Sequence, residues 1–594
     1  MRGMTRRWKL QEAAADGPTT GTEPDASRGR HADRVLIERI LRSRGIHDST
    51  AIESFCDPRL SNLHPPNHIP NNARAAERLV DAVRSGRTVA IYGDYDVDGI
   101  TATSILFHII RTAEPKADVR TYVPHRLEEG YGLNAEALRQ LRRDGADVVV
   151  SVDSGVTAVE PAAVAKEIGL ELIITDHHEM PTDGILPDAL IVHPRLPGSA
   201  YPNGDLCGAG VAFKLAWQFA IEWCQSERVS DVFKQALMQL LPLAALGTIA
   251  DIVPLTGENR ILTAFGLRLI RSTELTGLKA LIKASELESD SIDAEKVGFV
   301  LGPRLNAIGR MGHAADAVRL FTEANDADAM SIAQQLAQYN KERQKTERRI
   351  VDQACKRAEE AGMTLDDRRG IVLAHPDWHP GVVGIVASRL VDRFGRPAII
   401  MRDLDGQCQG SGRSVDGFNL HQALMRCESH LDTFGGHHAA AGLRLQSSAL
   451  PAFTEAFIAQ ANAAIEINEL VPVLHIDCSA SLTEFSLPAV EGLQKLSPFG
   501  KSNRKPTFLL TDLAVDEAPR QMGSNGRHLM VRLRQDGPNG RRLVRAVWWN
   551  AGSRVSEIAP GMRLDAAIEP KLNHWQGRTS VEAEIRDVRV RSES

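Results

Sequence analysis

The sequence predicts a multidomain α/β protein: a parallel-sheet domain, a long connecting helix, a second α/β unit and a C-terminal β domain. Three observations carry this. Short β-branched runs at 89–92, 148–152, 170–175 and 189–192 alternate with helical patterns, as in βαβ units of a mostly parallel sheet. Residues 326–362 then form one long helical pattern, with Ile332, Leu336, Tyr339, Arg343, Thr346, Ile350 and Ala354 at three- and four-residue spacing among charges. Beyond residue 470, short alternating runs separated by Gly and Asn turns predict a small β-barrel or sandwich.

The elements follow in order. Residues 1–33, polar with the single aromatic Trp8, read as a disordered tail. A short amphipathic helix at 35–44 and a proline-rich loop at 58–70 precede the first strand. The helix at 100–111 follows it. The parallel-sheet domain spans 34–325, the connecting helix 326–362, the second α/β unit 363–467 and the β domain 468–594. Within the second unit, strands at 370–374 and 398–401 flank a helix at 382–394, followed by the glycine-rich 410–414 and 435–438. The last domain carries strands at 528–534, 542–548, 563–568 and 579–590.

The chain has 594 residues, room for roughly four domains. With 43% hydrophobic and 25% charged residues it is neither a disordered chain, a fibrous repeat nor a disulfide scaffold. Seven cysteines without a CxxC exclude a paired-thiolate zinc site and fit a reducing compartment. The apolar stretch 237–255 is interrupted by Gln239, Pro242 and Asp251, too often to cross a bilayer. Arg2, Arg6, Arg7 and Lys9 are not followed by the apolar segment of a secretory signal. A cytoplasmic protein without a membrane partner is expected.

Ligands of open α/β sheets bind beyond the carboxyl ends of the strands. The runs place Asp94, Asp153 and Asp176 at that rim. In Asp94-Tyr95-Asp96-Val97-Asp98-Gly99, three carboxylates at alternate positions repel one another unless a hard cation neutralises them. An EF-hand is excluded by Ile105 at loop position 12 and by the preceding strand. Asp176-His177-His178 adds imidazoles, and Asp251 stands in an apolar run where a buried carboxylate needs a partner. Oxygen ligands with an imidazole suit Mg²⁺ or Mn²⁺ better than structural Zn²⁺. Two such ions roughly 3.5–4 Å apart stabilise both oxygens of a phosphoryl displacement, with Asp153 placed to bridge them. Residues 208–214, GAGVAFK, lack the GK[ST] of a P-loop and read as close helix packing. Trp548, Trp549 and Trp575 among Arg542, Arg545 and Arg578 suit either base stacking or a barrel core.

The ordered motifs GDYDVDG (93–99), VDSG (152–155), DHH (176–178) and GTIADIVPL (247–255) resemble the DHH phosphoesterase superfamily. With RLNA (304–307), GRM (309–311), HPGVVGIVASR (379–389), GSGRS (410–414) and GGHHAAAG (435–442), the chain is similar to the RecJ family of bacterial single-strand-specific 5′→3′ exonucleases. The resemblance runs from about residue 35 to the C-terminus and is most specific over 88–440. It implies a DHH catalytic domain, a DHHA1-type partner domain and a C-terminal OB-fold. It further implies that Asp96, Asp98, Asp153, His177 and Asp251 hold two divalent cations, Mn²⁺ or Mg²⁺. Asp94 is then a ligand or a group supporting one. His178 lies near the scissile phosphate, forming with Asp153 and His177 the catalytic set. Arg126, Arg310, Ser411 and Arg413 grip substrate phosphates, and His437 sits at the junction of the two domains.

The activity so implied is hydrolysis of single-stranded DNA from its 5′ end to 5′-mononucleotides, in DNA repair and recombination. A monomer is expected, with a single-strand-binding protein and a DNA helicase as candidate partners. A phosphodiesterase of short RNA or cyclic dinucleotides, or a non-catalytic replication scaffold, are the alternatives. The charge supports a polyanion substrate only when read by region. The total is −6, from 70 Lys+Arg against 76 Asp+Glu, with a pI near 6.4. Residues 501–594 hold 17 basic and 11 acidic residues, a net +6, which leaves −12 on the other 500. An acidic, metal-dependent lobe is thus joined to a basic β domain.

Overall fold

The structure, a computed structural model of the chain, describes residues 1–11, 28–125, 129–130, 132–181, 183–311, 314–537 and 540–591. It comprises two compact units: Pro58–Gln344 with Pro498–Arg504, and Met1–Asp57 with Lys345–Ser497 and Lys505–Ser594. Strand β1 (Arg7–Leu10) belongs to the second of these.

The first unit is built on β2 (Val89–Tyr92), β3 (Val119–Tyr122), β4 (Val148–Val152), β5 (Glu171–Thr175) and β6 (Leu190–Val192). They form one parallel sheet in the order β3-β2-β4-β5-β6. Every residue of β2 and β4 is buried, because helices cover both faces. Alternation sends Ile91, Val148 and Val150 to one core and Ala90, Tyr92 and Val149 to the other. Helices Val97–Ala113, Gly208–Cys224 and Asp231–Ala250 contribute to the larger core, with Ile105, Phe219 and Leu243 fully or nearly fully buried. Asp231–Ala250 is, among the described residues, the one helix long and apolar enough to cross a membrane, and 67% of its most apolar window is buried inside the protein.

The helix Asp326–Glu360 runs unbroken through 35 residues. Its first half places Ala329, Ile332, Ala333 and Leu336 in the core of the first unit. The second half places Ile350, Ala354, Cys355 and Ala358 in a core with Trp378 and Val382.

In the second unit, β7 (Ile371–His375), β8 (Ala398–Leu404), β9 (Gln407–Arg413), β10 (Thr433–Gly436) and β11 (Ala440–Gln446) form a sheet ordered β10-β11-β9-β8-β7. Helix Pro380–Phe394 lies in sequence between the parallel pair β7 and β8. Asp405-Gly406, both at positive φ, turn β8 into β9 as a tight hairpin. The glycine-rich 410–413 is therefore strand.

After β12 (Val473–Ile476) and β13 (Cys478–Ala480) come β14 (Phe508–Val515), β15 (Arg520–Met522), β16 (His528–Gly537), β17 (Gly540–Trp548), β18 (Arg563–Trp575) and β19 (Arg578–Val590). Pairing closes a ring β14-β16-β17-β19-β18-β14, antiparallel except for β17 with β19. This decides for a five-stranded OB-type barrel over a sandwich.

Two expectations are corrected. Residues 7–10 of the supposed disordered tail are a strand, β1, paired in parallel with β12. Trp8 is buried against Leu474, Ile476, Leu509 and Ala567, and its Nε1 donates to Asp587 Oδ2 at 2.8 Å. The fully buried Asp587 also accepts from the Thr5 hydroxyl at 2.9 Å and the Arg6 N–H at 3.0 Å. A single aromatic with its hydrogen-bond partner thus orders a polar segment. Residues 34–57 also group with the barrel unit, not with the parallel sheet. Arg44 pairs with the fully buried Asp477 at 3.0 Å, and Arg39 with Glu484 at 2.9 Å. Trp8→Ala, which leaves a cavity and strips a donor from Asp587, is expected to destabilise the second unit by about 3–5 kcal/mol, measured by urea denaturation.

Candidate metal centre

The carboxyl ends of β2, β4 and β5 carry the predicted residues. Asp94 and Asp96 follow β2. Asp96 caps the helix Val97–Ala113, accepting from the N–H groups of Asp98 at 2.8 Å and Gly99 at 3.1 Å. A side chain at Gly99 would strike the Asp94 backbone at 2.6 Å, so the tight loop requires glycine there. Asp98, 1% exposed, accepts from the N–H groups of Gly208 at 2.6 Å and Ala209 at 2.8 Å. These two open the helix Gly208–Cys224, whose N-terminal dipole favours a carboxylate.

Asp153 follows β4 with φ +60°, and Ile252, beside Asp251, has φ +59°. Such values are costly for non-glycine residues, most of all a β-branched one, and cluster at functional sites. Asp251 closes the helix Asp231–Ala250.

His177 ties the cluster together. Its Nε2 lies 3.1 Å from Asp153 Oδ1, 3.6 Å from Asp251 Oδ2 and 3.7 Å from Asp98 Oδ2. Three groups have ligand atoms within 4.8 Å of one another: Asp153 with His177 and His178, Asp98 with His177 and Asp251, and Asp94 with Asp96 and Asp153. Asp153 belongs to two of them.

Burial above all, with the neighbouring carboxylates, pushes Asp153 well above the usual carboxylate range. The same causes raise Asp98, and raise Asp251 to about 8. Burial lowers His177 to about 4, so its imidazole is neutral with a lone pair to give. The facing Asp153 Oδ1 and His177 Nε2 are buried and share no hydrogen bond. Two facing buried acceptors among mutually repelling carboxylates are the environment a divalent cation satisfies.

His178 has a different setting. Burial lowers its basicity, but the hydrogen bond and charge of Asp176 outweigh this and bring it to about 9. Its Nδ1 donates to Asp176 Oδ1 at 2.7 Å, and its side chain is 43% exposed. Asp176 also accepts from the N–H groups of Val156, His177 and His178. Burial opposes its charge, yet the His178 hydrogen bond leads the contacts that hold it well below the usual range. His178 is a cation at neutral pH, His177 is not.

Asp94, Asp96, Asp98, Asp153, His177, His178 and Asp251 are thus brought together. Arg310 follows Gly309, where a side chain would meet Tyr95 O at 2.9 Å, so it lies beside the same loop. Arg126 lies outside the described residues. Ser411, Arg413 and His437 belong to the second unit. Ser411 and Arg413 lie on β9 against Gly384, where a side chain would stand 3.1 Å from Arg413 Nη2. His437 lies between β10 and β11, its N–H donating to Ala440 O at 2.9 Å.

Some supports of the site carry no functional signal in the sequence. Gly208 and Ala209 read there only as packing residues. That packing exists, since a side chain at Gly247 would meet Ala209 Cβ at 2.5 Å. Their N–H groups also fix Asp98. Lys214 of the same segment is buried and pairs with Glu258 at 2.5 Å, so it binds no nucleotide. Asn306 accepts from Val97 N–H at 3.1 Å, and Arg195 Nη2 donates to His177 O at 2.5 Å. Only the small residues before an apolar helix could have signalled the first of these.

A parallel sheet with this constellation at its rim, followed by a second α/β sheet and an OB barrel, defines a DHH-type phosphoesterase. Family models match accordingly: the DHH family N-terminal domain over 88–248, the DHHA1 domain over 367–463 and the RecJ OB domain over 476–587. The single-stranded-DNA-specific exonuclease RecJ of Bacillus subtilis (strain 168) is 37% identical over 587 residues, 98% of this chain and 71% of that protein. RecJ from Thermus thermophilus in complex with Mn²⁺ superposes with a TM-score of 0.79 at 28% identity, covering 99% of this chain and 80% of that one. The same protein in complex with Mg²⁺ gives 0.73 at 28% identity, covering 99% and 79%. The chain belongs to the RecJ family.

A side chain at Gly208 would stand 2.6 Å from Asp153 Cβ. Gly208→Ala is expected to displace Asp153 and weaken Mn²⁺ binding by about 10–100-fold, read by titration calorimetry.

Proposed function

We propose that this chain is a metal-dependent exonuclease specific for single-stranded DNA, digesting from the 5′ end and releasing 5′-mononucleotides. The observation that carries this is the facing Asp153–His177 pair, 3.1 Å apart inside a ring of Asp94, Asp96, Asp98 and Asp251. Family membership narrows the substrate: the relatives named above are single-stranded-DNA-specific exonucleases. A closed barrel also suits an extended strand better than a cyclic dinucleotide.

Asp94, Asp96, Asp98, Asp153, His177 and Asp251 would hold two cations, Mn²⁺ or Mg²⁺, with Asp153 shared between them. When bound, they supply Lewis-acid activation of water and stabilise charge on the reacting phosphate. The chain's own groups do the rest. Neutral His177 offers its Nε2 lone pair. Cationic His178, held by Asp176, donates a proton to a phosphate oxygen or to the departing 3′ oxygen. Arg126, Arg310, Ser411 and Arg413 bind substrate phosphates, His437 is a further substrate-binding residue, and capture of a 5′-terminal phosphate sets the polarity. We further place the enzyme in the cytoplasm as a monomer serving DNA repair and recombination, with a single-strand-binding protein and a helicase as candidate partners.

Single-turnover assays on end-labelled strands, with and without a 5′ phosphate, test this. Digestion of single strands from the 5′ end is expected, and equal activity on duplex or digestion from the 3′ end would overturn it. Asp153→Ala is expected to lower turnover by at least about 10³-fold while retaining most strand binding, measured by anisotropy. Chelation of divalent cations should abolish turnover and Mn²⁺ should restore it.

A further inference from the structure

Two large apolar side chains stand in solvent on segments that adjoin the metal centre in the chain or by close approach. Phe299 is 75% exposed and Ile252 is 64% exposed. Phe299 lies in a π-helical segment, Val297–Leu301, continuous with the helix Gly302–Met311. π-Helical turns are rare and recur at functional sites.

The position of this segment is fixed by close approach. A side chain at Gly298 would stand 3.7 Å from Ile249, and one at Gly302 would stand 3.8 Å from Ala250. Ile249 and Ala250 immediately precede Asp251. Further along, Asn306 holds the Val97 N–H, and Gly309 faces Tyr95 O. Residues 297–310 therefore run beside the cluster from Asp251 to the Asp94–Asp98 loop. Val297 and Leu301 are buried, which leaves Phe299 on the outer side of its turn. Ile252 faces solvent from a left-handed backbone conformation that a β-branched residue rarely adopts.

Scattered exposed apolar residues need no explanation. Here an exposed aromatic ring stands on the segment packed against Ile249 and Ala250, and a strained isoleucine directly follows Asp251 in the chain. The substrate of the proposed reaction carries flat π-faces beside each phosphate, and stacking on an aromatic ring is indifferent to which base is present. We propose that Phe299, together with Ile252, forms a base-stacking subsite that seats a nucleobase of the strand next to the metal centre. The proposal rests on the nuclease reading above. Arginine contacts to phosphate place the backbone, whereas Phe299 sets the depth to which the strand enters. Phe299 is a positioning residue, since it touches a base and not the reacting atoms.

The test compares wild type, Phe299→Ala and Phe299→Trp on a 5′-phosphorylated oligonucleotide with Mn²⁺. A parallel series carries one abasic nucleotide at each of the first four positions. Phe299→Ala is expected to lower kcat/KM about ten-fold on intact strand, and Phe299→Trp to stay within about two-fold of wild type. At one position, abasic substitution should slow wild type by the same factor and slow Phe299→Ala no further. Equal rates for wild type and Phe299→Ala would overturn the subsite. So would an undiminished loss in Phe299→Ala at every abasic position, which marks a merely structural residue. Wild-type enzyme unable to digest the intact strand would overturn the nuclease reading as well, so the two failures are distinguishable.

Discussion

Five carboxylates within a few ångströms repel one another, and burial makes the repulsion worse. Asp94, Asp96, Asp98, Asp153 and Asp251 are held in that arrangement here, and its cost shapes much of the first unit. Burial and mutual repulsion push Asp98, Asp153 and Asp251 upward together. Three of the five are nevertheless held by their local backbone setting. Asp96 is locked as a helix cap, Asp98 by two N–H groups at a helix N-terminus, and Asp153 by a left-handed turn at the end of a fully buried strand. A fold that fixes like charges so tightly stores a preference for multivalent cations before any binds.

The same rigidity separates the two adjacent histidines. One residue apart, their rings are 4.5 Å from centre to centre, yet they titrate in opposite directions. His177 turns inward, where desolvation wins and leaves a neutral ligand. His178 turns toward solvent, and its Nδ1 meets a carboxylate that this hydrogen bond above all, with backbone N–H groups beside it, keeps ionised. Asp176 therefore works at one remove: its hydrogen bond and charge raise His178, while burial keeps His177 neutral. Metal binding and proton donation fall to neighbouring residues without competing for one side chain.

The sheet and the cluster are legible in the sequence because both depend on local pattern. β-Branched runs mark β2, β4, β5 and β6, and the Asp or His after each of the first three marks the rim. β3 gives no such signal, since Val119–Tyr122 contains Arg120 and Thr121 and leans on its partners for burial. Trp8 reads as an isolated aromatic because its partners, Asp587 and Leu474, lie hundreds of residues away. Gly208 escapes for the same reason. Close packing by small residues is visible in sequence, but that the packed object is Asp153 is not. The identity of a donor set can be read from a motif, whereas its supports are set by tertiary contacts that leave no period in the chain.

The charge balance closes the account of how an acidic protein suits a polyanion. In the barrel, the exposed Asp512 is shared between two arginines, Arg563 and Arg591. Exposed pairs of this kind contribute only about 0–1 kcal/mol each, so a phosphate competes for the guanidinium at little cost. Bidentate geometry favours that exchange, because the fork that holds a carboxylate also fits a phosphate. The net +6 of residues 501–594 thus includes arginines held in weak surface pairs, while the acidity of the remaining chain includes carboxylates that two divalent cations would neutralise. The two halves of the −6 answer to different partners, one to metal and one to phosphate, and their sum describes neither.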